Sequence, residues 1–194
     1  MADHDNLTNF LNTLGKNVKN HKSEIANSIA KALLGSLTVQ SKHALTVAPV
    51  CSSLNDLLQI KPNNLINLLA NCIHHLRWRE AGFGKMPKEI SHQICVTELI
   101  GPAGFFKHSD IRIGLLLQRP ETIYPMHQHA AEELYFILSG NAYWAVDHET
   151  LKPKPPKSFV HHNSNQSHCI TTGEEPLLAL WGWTGDIDGS SYSI

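Results

Sequence analysis

The hydrophobic positions in the first third of the chain recur with the period of an α-helix. Apolar residues return every three to four positions in three segments, which predicts amphipathic helices over 7–18, 24–35 and 63–78. Gly35 is a suitable end for the second helix. The pattern between residues 40 and 62 is less regular and allows one short helix over 54–60.

From about His92 onward the pattern changes to the two-residue alternation of β-strands. The predicted strands are short and are separated by Gly, Pro, Asn and Asp; they cover 94–100, 111–118, 124–140, 141–147, 158–162, 167–171 and 177–183. Because no helical pattern interrupts them, they predict an antiparallel barrel or sandwich. The chain is therefore predicted to be mainly β, with a helical region over 1–80 that packs on a β-barrel over 81–194.

Composition places the chain among ordinary globular proteins. Of its 194 residues 42% are hydrophobic and 17% are charged, which is ordinary for a globular protein. The length is enough for one domain with a proper core, or for a domain plus a sizeable extension. The net charge of −1 gives no electrostatic reason to expect nucleic acid or an anionic membrane as a partner. No window approaches 18 consecutive apolar residues, so no membrane span is expected.

The cysteines and the N-terminus both bear on the cellular compartment. Cys51, Cys72, Cys95 and Cys169 are scattered and form no CxxC pair, which is typical of buried free thiols in a reducing compartment. The first ten residues lack the basic stretch and apolar run of a signal peptide. Together these features predict a cytoplasmic protein.

The segment from Tyr124 to Gly140 carries the strongest chemical signal. His127 and His129 are two residues apart, so both imidazoles point to one face of an extended chain. Glu133 and Tyr135 share that parity, and a tight bend near 130–131 would bring all four side chains together. Nitrogen and oxygen ligands at this spacing predict a divalent metal site.

Two other histidines have a simpler explanation. His74 and His75 are neighbours near the end of the predicted third helix, so their side chains point in different directions. Cations at a helix C-terminus interact favourably with the helix dipole, and we favour this role over metal binding.

The spacing HxHxxxExxxxxxG over His127, His129, Glu133 and Gly140 resembles the first motif of the cupin superfamily of small jelly-roll barrels. The upstream glycine of that motif is replaced by Glu121. The second cupin motif is matched loosely, with Pro156-x-Ser158 in place of Pro-x-Gly. By this resemblance the metal ligands are His127, His129, Glu133 and His168. His161 and His162 compete with His168 for the fourth position.

The resemblance is closer to the cupin-type dimethylsulfoniopropionate lyases and their wider superfamily. It rests on Tyr124, on AEELYFILSG, HHNSNQSH and TTGEEPLLALWGWTGD, and covers about residues 90–188. In that family a tyrosine two residues after the glutamate ligand is the base, and this position is Tyr135 here. A second tyrosine upstream of the HxH pair assists, and Tyr124 matches it.

The implied β-elimination makes chemical sense of these residues. It needs a base for the α-proton, a Lewis acid for the carboxylate and a pocket for the sulfonium group. A tyrosinate near pH 7–8 requires roughly 3–4 kcal/mol of help, which a nearby metal ion can provide. Aromatic faces suit a sulfonium cation, and the candidate substrate-binding residues are Tyr124, Tyr143, Trp181 and Trp183.

Several alternatives stay open at this point. A cupin dioxygenase with an iron centre uses the same ligand types, and a non-catalytic metal cupin that binds a small carboxylate is a third hypothesis. Tyr135, Tyr124, Trp181 and Trp183 also suit ordinary packing roles. Zn, Fe, Mn, Ni and Co all accept such ligands, so the metal is not specified. A small-molecule substrate is the expected partner, and barrels of this kind often pair as homodimers.

Overall fold

The computed structural model describes residues 2–39, 62–73 and 76–194. The helices in these ranges are α1 (Ala2–Val18), α2 (Glu24–Leu34), α3 (Asn64–Ala70) and α4 (Lys88–Ser91), and 3-10 turns cover Gly82–Gly84 and Gly189–Ser191. None of the described helices is both long enough and apolar enough to cross a membrane. The helix expected over 54–60 lies outside the described residues, as do His74 and His75.

Two of the three predicted N-terminal helices are confirmed, and the third is shorter than predicted. The side chain of Ser23 accepts a hydrogen bond from Ala26 N and so caps α2. Asn63 caps α3 in the same way, but α3 ends at Ala70 rather than near residue 78. Trp78, which continued the helical pattern, is buried and instead begins a strand whose other two residues are exposed. The first strand of the larger sheet therefore begins at residue 78.

The rest of the described chain forms two β-sheets. The strands are β1 (Trp78–Glu80), β2 (Ile94–Gly101), β3 (Phe106–Lys107), β4 (Arg112–Gln118), β5 (Ile123–His127), β6 (Ala131–Ser139), β7 (Ala142–Val146), β8 (Lys152–Lys154), β9 (Phe159–His162), β10 (His168–Thr172) and β11 (Leu177–Gly185). In the described residues the larger sheet has the order β1-β2-β4-β11-β6-β9, with β3 parallel to β2. The smaller sheet has the order β5-β10-β7-β8. The other pairings are antiparallel, and the predicted cupin jelly roll is confirmed.

Both faces of the larger sheet are covered. Leu134 and Phe136 of β6 belong to the hydrophobic cluster that includes the N-terminal helices. Tyr135 and Ile137 alternate with them and belong to the second cluster, between the sheets. Because both faces are buried, β4, β6 and β11 read as nearly continuous apolar runs rather than as alternating ones.

The contact between α2 and β11 depends on a glycine. A Cβ atom at Gly182 would lie 2.4 Å from Cδ1 of Ile29, so the absence of a side chain lets the helix approach the sheet closely. Helix α2 therefore lies directly against the larger sheet at this point, and the division into a helical region over 1–80 and a barrel over 81–194 stays a prediction.

The cysteines differ from the prediction. Cys72 and Cys169 are free thiols, whereas Cys95 is disulfide-bonded. Burial raises the pKa of Cys72 to about 11, so this thiol is unreactive at neutral pH. The expectation of four free thiols is wrong at Cys95, and the argument from thiols for a reducing compartment loses its basis.

Candidate active site

The predicted metal ligands come from both sheets and meet between them. His127 ends β5 and His168 begins β10, and the two residues lie opposite each other in the smaller sheet. His129 lies in the bend that leads into β6. Glu133 is on β6 in the larger sheet, and all four side chains are buried. The bend expected near residues 130–131 therefore carries the HxH motif from one sheet to the other.

The three histidines share one hydrogen-bonding arrangement. In each, Nδ1 contacts a backbone carbonyl oxygen: Pro125 O at 2.7 Å for His127, Ala131 O at 3.0 Å for His129 and Gln166 O at 3.0 Å for His168. A carbonyl oxygen only accepts, so each Nδ1 carries the proton. Whenever such a ring is neutral, its lone pair is therefore on Nε2, the arrangement that orients histidines for metal binding.

The Nε2 atoms of two of these histidines surround one carboxylate oxygen. His129 Nε2 lies 3.1 Å from Glu133 Oε2, and His168 Nε2 lies 3.2 Å from the same oxygen. Metal–ligand bonds of about 2.1 Å at tetrahedral or octahedral angles separate neighbouring ligand atoms by about 3.0–3.4 Å. His168 Nε2 is buried and forms no hydrogen bond with any described residue. The donor set therefore fits a divalent transition metal.

His127 lies at the edge of this group. Its Nε2 is not part of the tight group of His129, Glu133 and His168, whose ligand atoms all lie within 4.8 Å of one another. The centre of its ring is 4.1 Å from that of His168. Tyr124 stacks on its other side at 4.1 Å. His127 is thus within reach of the site.

The two competing histidines occupy different environments. His161 is partly exposed and its Nε2 contacts Glu132 Oε1 at 2.7 Å, away from the cluster. His162 is fully buried beside the cluster, but its Nε2 accepts a hydrogen bond from Trp144 Nε1 at 3.1 Å. Neither arrangement leaves a lone pair directed at the three ligand atoms. Among the histidines considered for the fourth position, His168 has the suitable geometry.

The charges in the cluster shift one another's pKa values. Burial alone would raise the pKa of Glu133, but the attraction of His129 and hydrogen bonds from the surrounding histidines hold it well below its usual range. Burial also opposes the charge on His129, yet Glu133 raises its pKa. Burial and the neighbouring His168 lower the pKa of His127 well below its usual value, and that of His162 to about 4. Without a metal ion, the site is thus a buried carboxylate balanced mainly by His129.

A cavity of about 380 Å³, part of it open to solvent, adjoins the cluster. His127, His129 and Glu133 form one wall. The aromatic residues that line it are Phe83, Tyr124, Tyr135, Trp181, Trp183 and Tyr192. The cavity is therefore bounded by possible metal ligands on one side and by aromatic rings on others.

The two predicted catalytic tyrosines both line this cavity. Burial and the charge of Glu133 raise the pKa of Tyr135 well above its usual value. Burial and the neighbouring Tyr192 do the same for Tyr124. The hydroxyl of Tyr192 donates to that of Tyr124 across 3.2 Å. In the metal-free site both phenols are therefore protonated at neutral pH.

One of the four candidate substrate-binding residues does not reach the cavity. Tyr124, Trp181 and Trp183 line it. Tyr143 lies on the opposite face of β7 from the buried Trp144 and is 45% exposed. Successive residues of a strand point to opposite faces, and Trp144 is the one that points inward. The structure thus does not bring Tyr143 to the cavity with the other candidates.

Comparison with known proteins places this architecture in a family. The dimethylsulfoniopropionate lyase family profile matches residues 9–179, which is most of the chain. The chain belongs to the dimethylsulfoniopropionate lyase family. The match includes the helical N-terminal segment as well as the cavity residues from Tyr124 to Glu133, so it extends beyond the barrel alone.

Individual members of the family are similar to this chain in sequence and in structure. The putative dimethylsulfoniopropionate lyase DddL of Cereibacter sphaeroides is 27% identical over 174 residues, which cover 87% of this chain and 72% of that protein. The dimethylsulfoniopropionate lyase DddQ of Ruegeria pomeroyi is 34% identical over 90 residues, which cover 46% of this chain and 45% of that protein. The crystal structure of a DddQ from Ruegeria pomeroyi matches with a TM-score of 0.79 at 22% identity, covering 98% of this chain and 96% of that chain. That structural match shows that the fold is shared.

The structure explains one departure from the cupin motif. Glu121 stands where the motif has glycine, and its φ of 51° keeps the left-handed backbone that glycine adopts easily. Gly140 at the end of the motif has a φ of 83°, and a Cβ there would lie 1.9 Å from Pro176 O. The backbone of the motif is thus preserved although one glycine is lost.

Among the cavity residues that sequence reasoning missed, three carry a charged or aromatic group. Arg79 comes from β1, Phe83 from the turn that follows β1, and Tyr192 from the C-terminal segment. The guanidinium of Arg79 lies 5.0 Å from the centre of the Phe83 ring. These residues belong to no periodic pattern. The only available signal was the pair of glycines around Phe83, where three successive residues have positive φ.

Proposed function

We propose that this chain is a metal-dependent lyase that cleaves dimethylsulfoniopropionate to dimethyl sulfide and acrylate. The observation that carries the proposal is the meeting of two groups in one cavity. His127, His129 and Glu133 line it, and His168 lies beside Glu133; each of the three histidines has its Nδ1 on a backbone carbonyl oxygen, which leaves Nε2 to bind a metal. Tyr135 lies in the same cavity, two residues after the glutamate on the same strand.

The proposed ligands are His127, His129, Glu133 and His168. A divalent transition metal held by them supplies a Lewis acid for the substrate carboxylate and a positive charge that lowers the pKa of Tyr135. This positive charge is required, because burial and the Glu133 charge raise the pKa of Tyr135 well above its usual value in the metal-free site.

The reaction is a β-elimination with Tyr135 as the base. The phenolate oxygen of Tyr135 takes the proton from the α-carbon, and the C–H electron pair forms the double bond to the β-carbon. The bond between the β-carbon and sulfur breaks, and its electron pair leaves with neutral dimethyl sulfide. Acrylate remains, and no redox partner is required.

Aromatic side chains are proposed to hold the sulfonium group. Trp183, Phe83 and Tyr192 line the cavity, with ring centres of neighbouring pairs 5.6–5.9 Å apart. A cation on an aromatic face gains about 0.5–2 kcal/mol, so two or three rings provide useful binding energy. Trp181 and Tyr124 extend this wall.

Headspace gas measurement tests the proposed function. Protein reconstituted separately with Zn, Fe, Mn, Ni and Co is incubated with dimethylsulfoniopropionate in sealed vials, with and without oxygen. We expect dimethyl sulfide with at least one ion and none after chelator treatment. Absence of the gas with every ion would refute the proposal. Oxygen consumption with a catechol or thiol substrate would support the dioxygenase alternative instead.

A further inference from the structure

His162 is a buried histidine, and the hydrogen bond from a neighbouring tryptophan determines which of its ring nitrogens carries the proton. Trp144 Nε1 lies 3.1 Å from His162 Nε2. An indole N–H only donates, so Nε2 must accept and the proton must be on Nδ1. That Nδ1 faces Glu133 Oε2 at 3.4 Å. His162 is therefore in position to direct an N–H group at the central carboxylate of the site.

The same ring also contacts a proposed ligand. The rings of His162 and His168 stack with their centres 3.7 Å apart and their planes 12° apart. His168 Nδ1 is held at the other side by Gln166 O at 3.0 Å. The plane of the His168 ring is thus fixed by a stack and a hydrogen bond, and its Nε2 lies 3.2 Å from Glu133 Oε2.

The strand register explains this arrangement. Glu133 pairs with His162 of β9 on one side and with Trp183 of β11 on the other. Trp183 Nε1 donates to Glu133 Oε1 at 2.6 Å, so each neighbouring strand faces one carboxylate oxygen. All three residues are buried, so solvent does not compete with these contacts.

We propose that Trp144 and His162 form a positioning pair that orients the Glu133 carboxylate and the His168 imidazole for metal binding. The pair does not itself bind the ion, since both nitrogens of His162 are engaged. The inference rests on the metal site of the proposed function. Partners of this kind typically change metal affinity 10–100-fold when they are removed.

Three variants separate the two contacts of His162. His162→Phe keeps a ring to stack on His168 but removes the N–H, whereas His162→Asn keeps an amide N–H near the position of Nδ1 but removes the stack. Trp144→Phe leaves His162 in place and removes the donor that fixes its tautomer. His161→Asn is the matched control, since this neighbour contacts Glu132 near the surface.

The readouts are metal affinity by chelator competition, the ligand-field spectrum of the Co²⁺ form and the histidine tautomer by nitrogen NMR of the metal-free protein. We expect His162→Phe to weaken affinity about 10–100-fold and to alter the Co²⁺ spectrum. His162→Asn should retain more affinity than His162→Phe, and His161→Asn should match wild type. In wild type the His162 proton should be on Nδ1, and in Trp144→Phe that preference should be lost.

Unchanged affinity and Co²⁺ spectrum in a folded His162→Phe protein would overturn the inference. If His162→Phe does not fold, Trp144→Phe decides: an unchanged tautomer, affinity and spectrum overturns the inference in the same way. A wild-type protein that binds Co²⁺ but releases no dimethyl sulfide would refute the proposed function and leave the positioning test intact. A wild-type protein that binds no metal would overturn both.

Discussion

Trp183 donates its indole N–H to Oε1 of Glu133 across neighbouring strands, over 2.6 Å. Trp181, two residues earlier on β11, also lines the cavity, but its indole N–H has no hydrogen-bond partner among the described residues. The two tryptophans therefore differ in one respect that can be measured. Trp183 fixes a charged group, whereas Trp181 contributes mainly apolar surface.

Substitution of each tryptophan by phenylalanine isolates this hydrogen bond. Both changes remove similar volume, so both carry a packing cost. Trp183→Phe also leaves Oε1 of the buried Glu133 carboxylate without its indole donor, which typically costs about 1–3 kcal/mol. We expect Trp183→Phe to lower the free energy of unfolding of the metal-free protein by that amount more than Trp181→Phe does, in urea denaturation. Equal losses would show that the Trp183–Glu133 bond contributes no net stability.

Tyr192 provides a test of the cavity wall. Its ring lines the cavity and its hydroxyl donates to Tyr124. Tyr192→Ala removes one aromatic face, so the KM for dimethylsulfoniopropionate should rise about 2- to 30-fold, in line with 0.5–2 kcal/mol per ring. Tyr192→Phe keeps the ring and should change KM less. An unchanged KM in Tyr192→Ala would exclude the ring from the sulfonium site.

The pH dependence of stability should report on His162. Its pKa is about 4 in the folded protein and near 6.5 when unfolded, so between these values the unfolded chain binds a proton that the native chain does not. Stability is therefore lost as pH falls through this window, at about 1.4 kcal/mol per pH unit for this group.

The comparison uses metal-free wild type and His162→Asn, measured by urea denaturation from pH 7 to pH 4. Wild type should lose about 2–4 kcal/mol more than the variant over this range. Parallel curves for the two proteins would show that His162 titrates normally in the folded state and would contradict the assigned environment.

Much of the site could be predicted from the sequence because strand geometry is regular. His127, Glu133 and Tyr135 were grouped by their two-residue parity, and the structure brings them to one cavity. The position of His168 required the antiparallel pairing of β10 with β5, which places it opposite His127. The two-residue alternation does not predict which strands pair. Only the resemblance to a family motif predicted the position of His168.

The sequence predictions failed in two situations. Either the alternation fitted two opposite orientations of a strand, or the residues followed no periodic pattern. Tyr143 and Trp144 are both aromatic, so alternation could not tell which one faces inward; the structure places Trp144 inside. Phe83 and Tyr192 reach the cavity from a glycine-flanked turn and from the chain's final residues. The third helix was extended too far because Leu76 and Trp78 are apolar for reasons of burial outside the helix.

The most direct test of the account is product formation by Tyr135→Phe, with Tyr143→Phe as the control on the exposed face of β7. Dimethyl sulfide in the headspace and acrylate in solution are measured together for metal-loaded proteins without oxygen. The account predicts that wild type and Tyr143→Phe each form dimethyl sulfide and acrylate in equal amounts. Tyr135→Phe should form neither, with unchanged metal content. Product formation at the wild-type rate by Tyr135→Phe would contradict the assignment of Tyr135 as the base.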